Sequence, residues 1–105
     1  MVTVIIPTLN EQLTISQVVA IAGKSSYVTE ILVIDDKSLD ETIKNARTDK
    51  VKIYTSTKLG KGASMKDGVL LAENEIIVYL DADIVTYPEE IVEMLAMPII
   101  NDEAD

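Results

Sequence analysis

The chain has 105 residues, with no Cys, His, Trp or Phe, and a formal charge of −9. That size suits one small domain, and 48% hydrophobic with 26% charged residues is a folding composition. Disulfides, thiolate nucleophiles, imidazole bases and Cys/His metal sites are excluded, so any metal must sit on oxygen ligands, which favours Mg²⁺, Mn²⁺ or Ca²⁺. The acidity argues against a nucleic-acid surface. No run reaches the ~20 apolar residues of a membrane-spanning helix, and Met1–Ile6 has no basic n-region. The default expectation is cytoplasmic residence.

Taken in chain order, Val2–Ile6 reads as a strand. A helix is expected from about Asn10, as N-cap with Glu11 in the first turn, through Ile15, Val18, Val19 and Ala22 to Gly23. Glu30–Ile34 is the second strand. Ser38-Leu39-Asp40-Glu41 reads as a capping box opening a helix with Leu39, Ile43 and Ala46 on one face. Val51–Thr55 is a more mixed third strand, suited to an edge. The third helix places Met65, Val69 and Ala72 on one face beside Gly68, where a neighbouring backbone could approach. Glu75–Leu80 is the fourth strand, and the last helix opens at Pro88-Glu89-Glu90, carries Ile91, Met94 and Leu95, and ends before Pro98.

The resulting β-α-β-α-β-α-β-α order, with strands apolar on both faces, predicts a Rossmann-like α/β fold. It is a three-layer half domain with a parallel sheet in the order 3-2-1-4. Ligands in such sheets bind at the carboxyl ends of the strands, where the order reverses. Polar segments follow all four strands there: Pro7–Glu11, Asp35–Ser38, Ser56–Gly62 and Asp81–Asp83. The carboxylates of Asp81-Ala82-Asp83 repel unless a cation bridges them to an anionic ligand, or unless one caps a turn and the other is solvated. Lys58-Leu59-Gly60-Lys61-Gly62 opens a helix and is a candidate anion site or a solvated loop. It lacks the Walker A spacing. Asp35 reads as a local cap and Asp36 as a ligand contact.

Val4–Glu11, Ile31–Asp36 with Ser38 and Asp40-Glu41-Thr42, Gly60-Lys61-Gly62 and Val78–Asp83 together resemble the nucleotide-sugar half of the GT-A glycosyltransferases. The resemblance is to the family-two type that includes dolichol-phosphate mannosyltransferases and glucosyl- or mannosyl-3-phosphoglycerate synthases. It covers residues 4 to 83. It implies a UDP- or GDP-sugar donor, with Pro7, Leu9 and Glu11 bordering the nucleotide and Asp36 on the base. Lys61 would lie near the base or diphosphate. Asp81 and Asp83 would hold Mg²⁺ or Mn²⁺ on the diphosphate, Asp83 being the more direct ligand. The resemblance also places the acceptor pocket and catalytic base beyond these residues. Residues 1–105 are therefore expected to be the donor-binding half, binding donor without efficient transfer.

Two other readings compete. One is a phosphatase of the haloacid dehalogenase type, on Asp81-Ala82-Asp83-Ile84-Val85. The other is a non-enzymatic Rossmann-like module. An apolar fourth strand at the sheet edge further predicts a homodimer through that edge.

Overall fold

The computed structural model describes residues 1–57 and 60–103, with the side chains of Lys61, Asp102 and Glu103 outside the description. Eight elements alternate: β1 (Val2–Thr8), α1 (Ile15–Ala22), β2 (Val28–Asp35), α2 (Thr42–Ala46), β3 (Val51–Thr55), α3 (Lys61–Leu71), β4 (Ile76–Tyr79) and α4 (Ile91–Glu103). The strands form one parallel sheet in the expected order β3-β2-β1-β4.

Every residue of β1 is buried, because the central strand is covered on both faces. Val4, Ile6, Ile31 and Val33 meet α1 and α4 through Ile15, Val18, Val19, Val92 and Ala96. Ile5, Leu32 and Ile34 form the core of the opposite face, where α3 packs on β1 and β2. The alternation of side chains along each strand assigns these sets to the two faces.

Pro7 lies inside the central strand, where a missing N–H is normally excluded. Residues of a parallel strand direct their backbone groups alternately to the two neighbours. Ile5 C=O accepts from Leu80 on the β4 side, and Thr8 C=O accepts from Asp36 on the β2 side. Pro7 therefore points toward β4, and the pairing ends there at Ile5 and Tyr79, because the next ladder bond, to the Leu80 carbonyl, needs the N–H that proline lacks.

Several helix expectations are corrected. The first helix starts at Ile15, not Asn10, because Asn10 adopts φ 54° and directs its side chain to another loop. Glu11 is accordingly not in a first helical turn; its carbonyl instead accepts from Thr14 and Ile15. The capping box at Ser38–Glu41 does not form. Asp40 takes over, its Oδ1 accepting the Thr42 N–H at 2.9 Å and the Thr42 hydroxyl, while Leu39 is 95% exposed. The third helix buries Ser64 and Gly68 rather than Val69, and what approaches Gly68 is the Ile5 side chain, not a backbone. The last helix becomes regular at Ile91, buries Val92 and Ala96 rather than Met94 and Leu95, and runs through Pro98. Pro98 and Met94 both lie on the exposed side, so the Met94 carbonyl, which has no helical donor from proline, is on the solvent side of the helix.

Candidate functional site

The loops leaving β1 and β2 are joined by reciprocal hydrogen bonds. Asn10 N–H donates to Ser38 Oγ at 2.9 Å and Asn10 Oδ1 accepts the Leu39 N–H at 2.9 Å. Glu11 N–H donates to Thr42 Oγ1 at 2.7 Å, and Glu41 N–H donates to Gln12 Oε1 at 3.1 Å. Asn10 and Lys37 hold φ 54° and 58° at the two bends, a conformation uncommon outside Gly but accessible to Asn. Sequence periodicity carries no sign of this cross-loop pairing, which spans 28 or more residues.

The two aspartates at the end of β2 have different surroundings. Asp35 is fully buried, and its carboxylate accepts from Thr8 Oγ1 at 2.7 Å, Ser38 N–H at 2.8 Å and Ser38 Oγ at 2.6 Å. These bonds occupy it with holding the loop. Asp36 is 8% exposed; Oδ2 accepts the Gly60 N–H at 2.9 Å, while Oδ1 is buried with no partner among the described residues.

The third loop is tied back by Asp67 of α3, which accepts the Thr57 N–H at 2.8 Å and the Ser56 hydroxyl at 3.3 Å. Gly60 turns the chain into α3 at φ 103°, a backbone conformation that an L side chain would strain. Lys58 and Leu59 fall outside the described residues, as does the Lys61 side chain, so the anion-site expectation is placed only through Gly60 and the start of the helix.

After β4, the Asp81-Ala82-Asp83 turn is fixed through its backbone. Thr14 Oγ1 donates to the Ala82 carbonyl at 2.7 Å, and Asp81 N–H donates to the Tyr87 hydroxyl at 2.9 Å. Thr14 and Tyr87 are positioning residues that sequence reading missed. Thr14 carries only the ordinary signal of a helix start, and Tyr87 none beyond its proximity in sequence.

These loops enclose a cavity of about 180 Å³ lined by Pro7, Thr8, Leu9, Glu11, Asp36, Gly60, Ser64, Ala82 and Asp83. Pro7, Leu9, Glu11, Asp36 and Asp83, five of the expected ligand residues, thus meet at one place; Asp81 stands beside the cavity and does not line it. Thr8 and Ser64 are lining residues that sequence reading passed over. A roomier groove of about 550 Å³ lies at the opposite, amino-terminal end of β2 and β3, along Lys24, Ser25, Glu30, Lys50 and Lys52. The smaller cavity is the candidate site. It lies at the strand carboxyl ends, and two of its lining residues, Asp36 through Oδ1 and Ser64 through Oγ, have a buried oxygen without a partner among the described residues; buried polar groups are normally paired.

Among the described residues no three acidic side chains converge as a metal cage. The donor set still fits a hard cation: one or two carboxylates with phosphate oxygens and water completing the shell is the usual arrangement for Mg²⁺, and Asp83 reaches the cavity wall.

A parallel α/β half-sheet with its cavity at the strand reversal is an architecture found in nucleotide-binding proteins. Residues 3–105 match the profile of the family described as "Glycosyl transferase family 2", and the chain belongs to that family. An uncharacterized glycosyltransferase of Mycobacterium tuberculosis is 34% identical over 82 residues, covering 78% of this chain and 36% of the relative. The glucosyl-3-phosphoglycerate synthase of Petrotoga mobilis is 32% identical over 91 residues, covering 74% and 28%. The undecaprenyl-phosphate 4-deoxy-4-formamido-L-arabinose transferase of Aeromonas hydrophila is 31% identical over 102 residues, covering 87% and 31%. The chain thus spans about a third of the length of the curated relatives it matches.

Among solved structures, the glucosyl-3-phosphoglycerate synthase of M. tuberculosis, in complex with Mn²⁺, UDP and glucosyl-3-phosphoglycerate, superposes with a TM-score of 0.85. It is 24% identical, covering 94% of this chain and 39% of the other, a likeness of fold. Family membership decides against the haloacid dehalogenase reading of Asp81–Val85. Among the described residues no helix is long and apolar enough to cross a membrane.

Proposed function

We propose that residues 1–105 are the donor half of a glycosyl transferase and bind a nucleotide-diphosphate sugar, UDP- or GDP-linked, at the cavity between β1, β2 and β4. One observation carries the reading: Pro7, Leu9, Glu11, Asp36 and Asp83 line a single cavity at the strand carboxyl ends. Pro7 and Leu9 offer an apolar border, and Glu11 is placed for a ribose or base contact. Asp36 presents Oδ1 to a donor group of the base. Lys61, by its position at the start of α3, is assigned to the base or diphosphate.

Asp83, with Asp81 beside it, would hold Mg²⁺ or Mn²⁺. When bound, that cation neutralises the diphosphate and stabilises it as a leaving group. The chain's own residues hold and orient the donor. Thr14 and Tyr87 fix the backbone from which Asp83 projects, and the paired loops at Asn10 and Ser38 fix the border of the cavity. Support for a metal-dependent uridine nucleotide comes from the synthase of similar fold, solved with Mn²⁺ and UDP-glucose and with Mg²⁺ and UDP. No residue of this chain is assigned as the base for an acceptor hydroxyl.

Titration calorimetry with UDP and GDP, in Mn²⁺ and again in EDTA, tests the reading. Tighter binding with the cation is expected. Binding of neither nucleotide under either condition contradicts it and returns the chain to a non-enzymatic module.

The same reading carries a second, separable proposal, self-association at β4. That strand lies at the sheet edge, Tyr79 is exposed on it, and the neighbouring α4 exposes Met94, Leu95 and Ile99. Open edges of this kind pair readily.

A further inference from the structure

Ser64 lies on the buried side of α3 and is 1% exposed. Its hydroxyl has no partner among the described residues. A helical serine commonly returns its hydroxyl to the carbonyl one turn earlier; at Ser64 that carbonyl, of Gly60, accepts the backbone N–H at 3.2 Å, and the hydroxyl makes no second bond to it among the described residues. Ser64 lines the cavity together with Asp36, whose Oδ1 is also buried without a partner among the described residues.

The two groups differ in sense. A carboxylate only accepts, whereas a hydroxyl also donates. A ligand satisfying both presents an N–H to Asp36 and an acceptor to Ser64. Bases with a ring N–H beside a carbonyl, uracil and guanine, have that edge. Cytosine and adenine carry the donor on the exocyclic amine, so a ring held in the same place turns a lone pair toward the carboxylate and an N–H toward the hydroxyl. The cavity, about 180 Å³, is smaller than the roughly 300–1,000 Å³ that takes a whole small ligand. It suits one ring held between Pro7, Leu9 and Ala82, with the rest of the nucleotide at the mouth.

We propose that Ser64 is a specificity-determining residue that donates its hydroxyl hydrogen to the base carbonyl while Asp36 accepts the neighbouring N–H. The proposal rests on the nucleotide-sugar reading above and adds the group that selects the base.

The test is calorimetric titration of the full chain and of Ser64→Ala with UDP, GDP, CDP and ADP in Mn²⁺. In the unaltered chain UDP or GDP is expected to bind about a hundredfold more tightly than CDP and ADP, since a mismatched edge leaves buried polar groups unpaired. Ser64→Ala is expected to weaken the preferred nucleotide about tenfold and to leave CDP and ADP unchanged. Its thermal midpoint should stay level or rise, because an unpartnered hydroxyl has been removed. Undiminished UDP and GDP affinity in Ser64→Ala, with the unaltered chain binding normally, overturns the role of Ser64 and leaves the nucleotide-sugar reading standing. An equal loss for all four nucleotides also overturns it, by placing the hydroxyl away from the base. Failure of the unaltered chain to bind any of them overturns both.

Discussion

Asp36 accepts the Gly60 N–H with one carboxylate oxygen at 2.9 Å and holds the other buried, without a partner among the described residues. The bond joins the end of β2 to the entrance of α3 and aims the remaining oxygen at the cavity. A buried acceptor kept open in this way lowers the stability of the empty protein and is satisfied when a donor arrives.

Asp36→Asn keeps an oxygen for Gly60 and replaces the open acceptor by an amide N–H₂. Nucleotide affinity should fall at least about tenfold, while the thermal midpoint changes little, because the loss is of a ligand contact and not of the loop tie. Calorimetry and thermal unfolding of the same sample separate the two effects.

Gly68→Ala tests the packing of α3 on the sheet. An added Cβ would lie 2.7 Å from Ile5 Cγ2, 2.8 Å from Cδ1 and 3.1 Å from Cγ1, so no single rotamer change of this fully buried side chain clears every contact. The better helix propensity of Ala offsets up to about 1 kcal/mol, and overpacking costs about 1–3 kcal/mol. A net loss of about 1 kcal/mol is expected in urea unfolding, with Ile5→Val restoring part of it.

The amino-terminal end of the sheet should confer pH dependence. Burial pushes the Glu30 carboxyl up, but the Glu73 N–H, the Thr3 hydroxyl and the Lys52 ammonium together outweigh it and leave the group below its ordinary value near 4.5. The bonds behind this are 2.9, 2.7 and 3.1 Å. A lowered carboxylate contributes stability above its unfolded value and loses it as pH falls through the folded one. Unfolding free energy should therefore decline below about pH 4.5, and Glu30→Gln should flatten that decline. Hydrogen bonds to Glu73 and Glu30 hold Lys52 above its ordinary 10.5, so its contribution persists below that pH and is lost in stronger base.

Thr14→Val removes the donor to the buried Ala82 carbonyl. An expected loss of about 1–3 kcal/mol follows from the unpaired acceptor. The gain in nucleotide affinity on adding Mn²⁺ should shrink as well, since Ala82 stands between Asp81 and Asp83. Thr14→Ser, which keeps the hydroxyl, should retain both.

Self-association is tested at the outer groups of β4. Leu80 N–H bonds to the Ile5 carbonyl, so alternation turns Ile77 and Tyr79 outward. Ile77→Pro then removes an edge N–H without breaking the β1 ladder. Val78 is in the core, which makes Tyr79→Lys the better charge probe. Sedimentation at micromolar concentration should show a dimer that salt strengthens, by screening the −9 charge of each chain, and that either variant weakens. A monomer throughout the concentration range would refute it.

The sheet was legible because Val4-Ile5-Ile6 and Ile31-Leu32-Val33-Ile34 are apolar on both faces, which only a covered parallel sheet accommodates. The strand order then followed from crossover handedness together with the usual half-Rossmann arrangement. Helix starts were less legible. Asn10 and Ser38 have the chemistry of N-caps, but each found a partner in the other's loop, and a tertiary hydrogen bond displaced the local one. The faces of α3 and α4 were misassigned for another reason. Small residues, Ser64, Gly68 and Ala96, occupy the tight contacts, and the larger Val69, Met94 and Leu95 stay outside. At the site, charge and spacing pointed to Asp36 and to the pair Asp81 and Asp83, and the family resemblance favoured Asp83 as the metal ligand. Ser64 and Thr14 were hidden because a hydroxyl has no pattern until its surroundings close.

The central claim is that this cavity holds a nucleotide diphosphate through a cation on Asp83. The most direct measurement is UDP and GDP affinity with Mn²⁺ and with EDTA, in the unaltered chain and in Asp83→Ala. Tighter binding with Mn²⁺ is expected in the unaltered chain, with no difference between the two conditions in the variant. An undiminished Mn²⁺ effect in Asp83→Ala would contradict it.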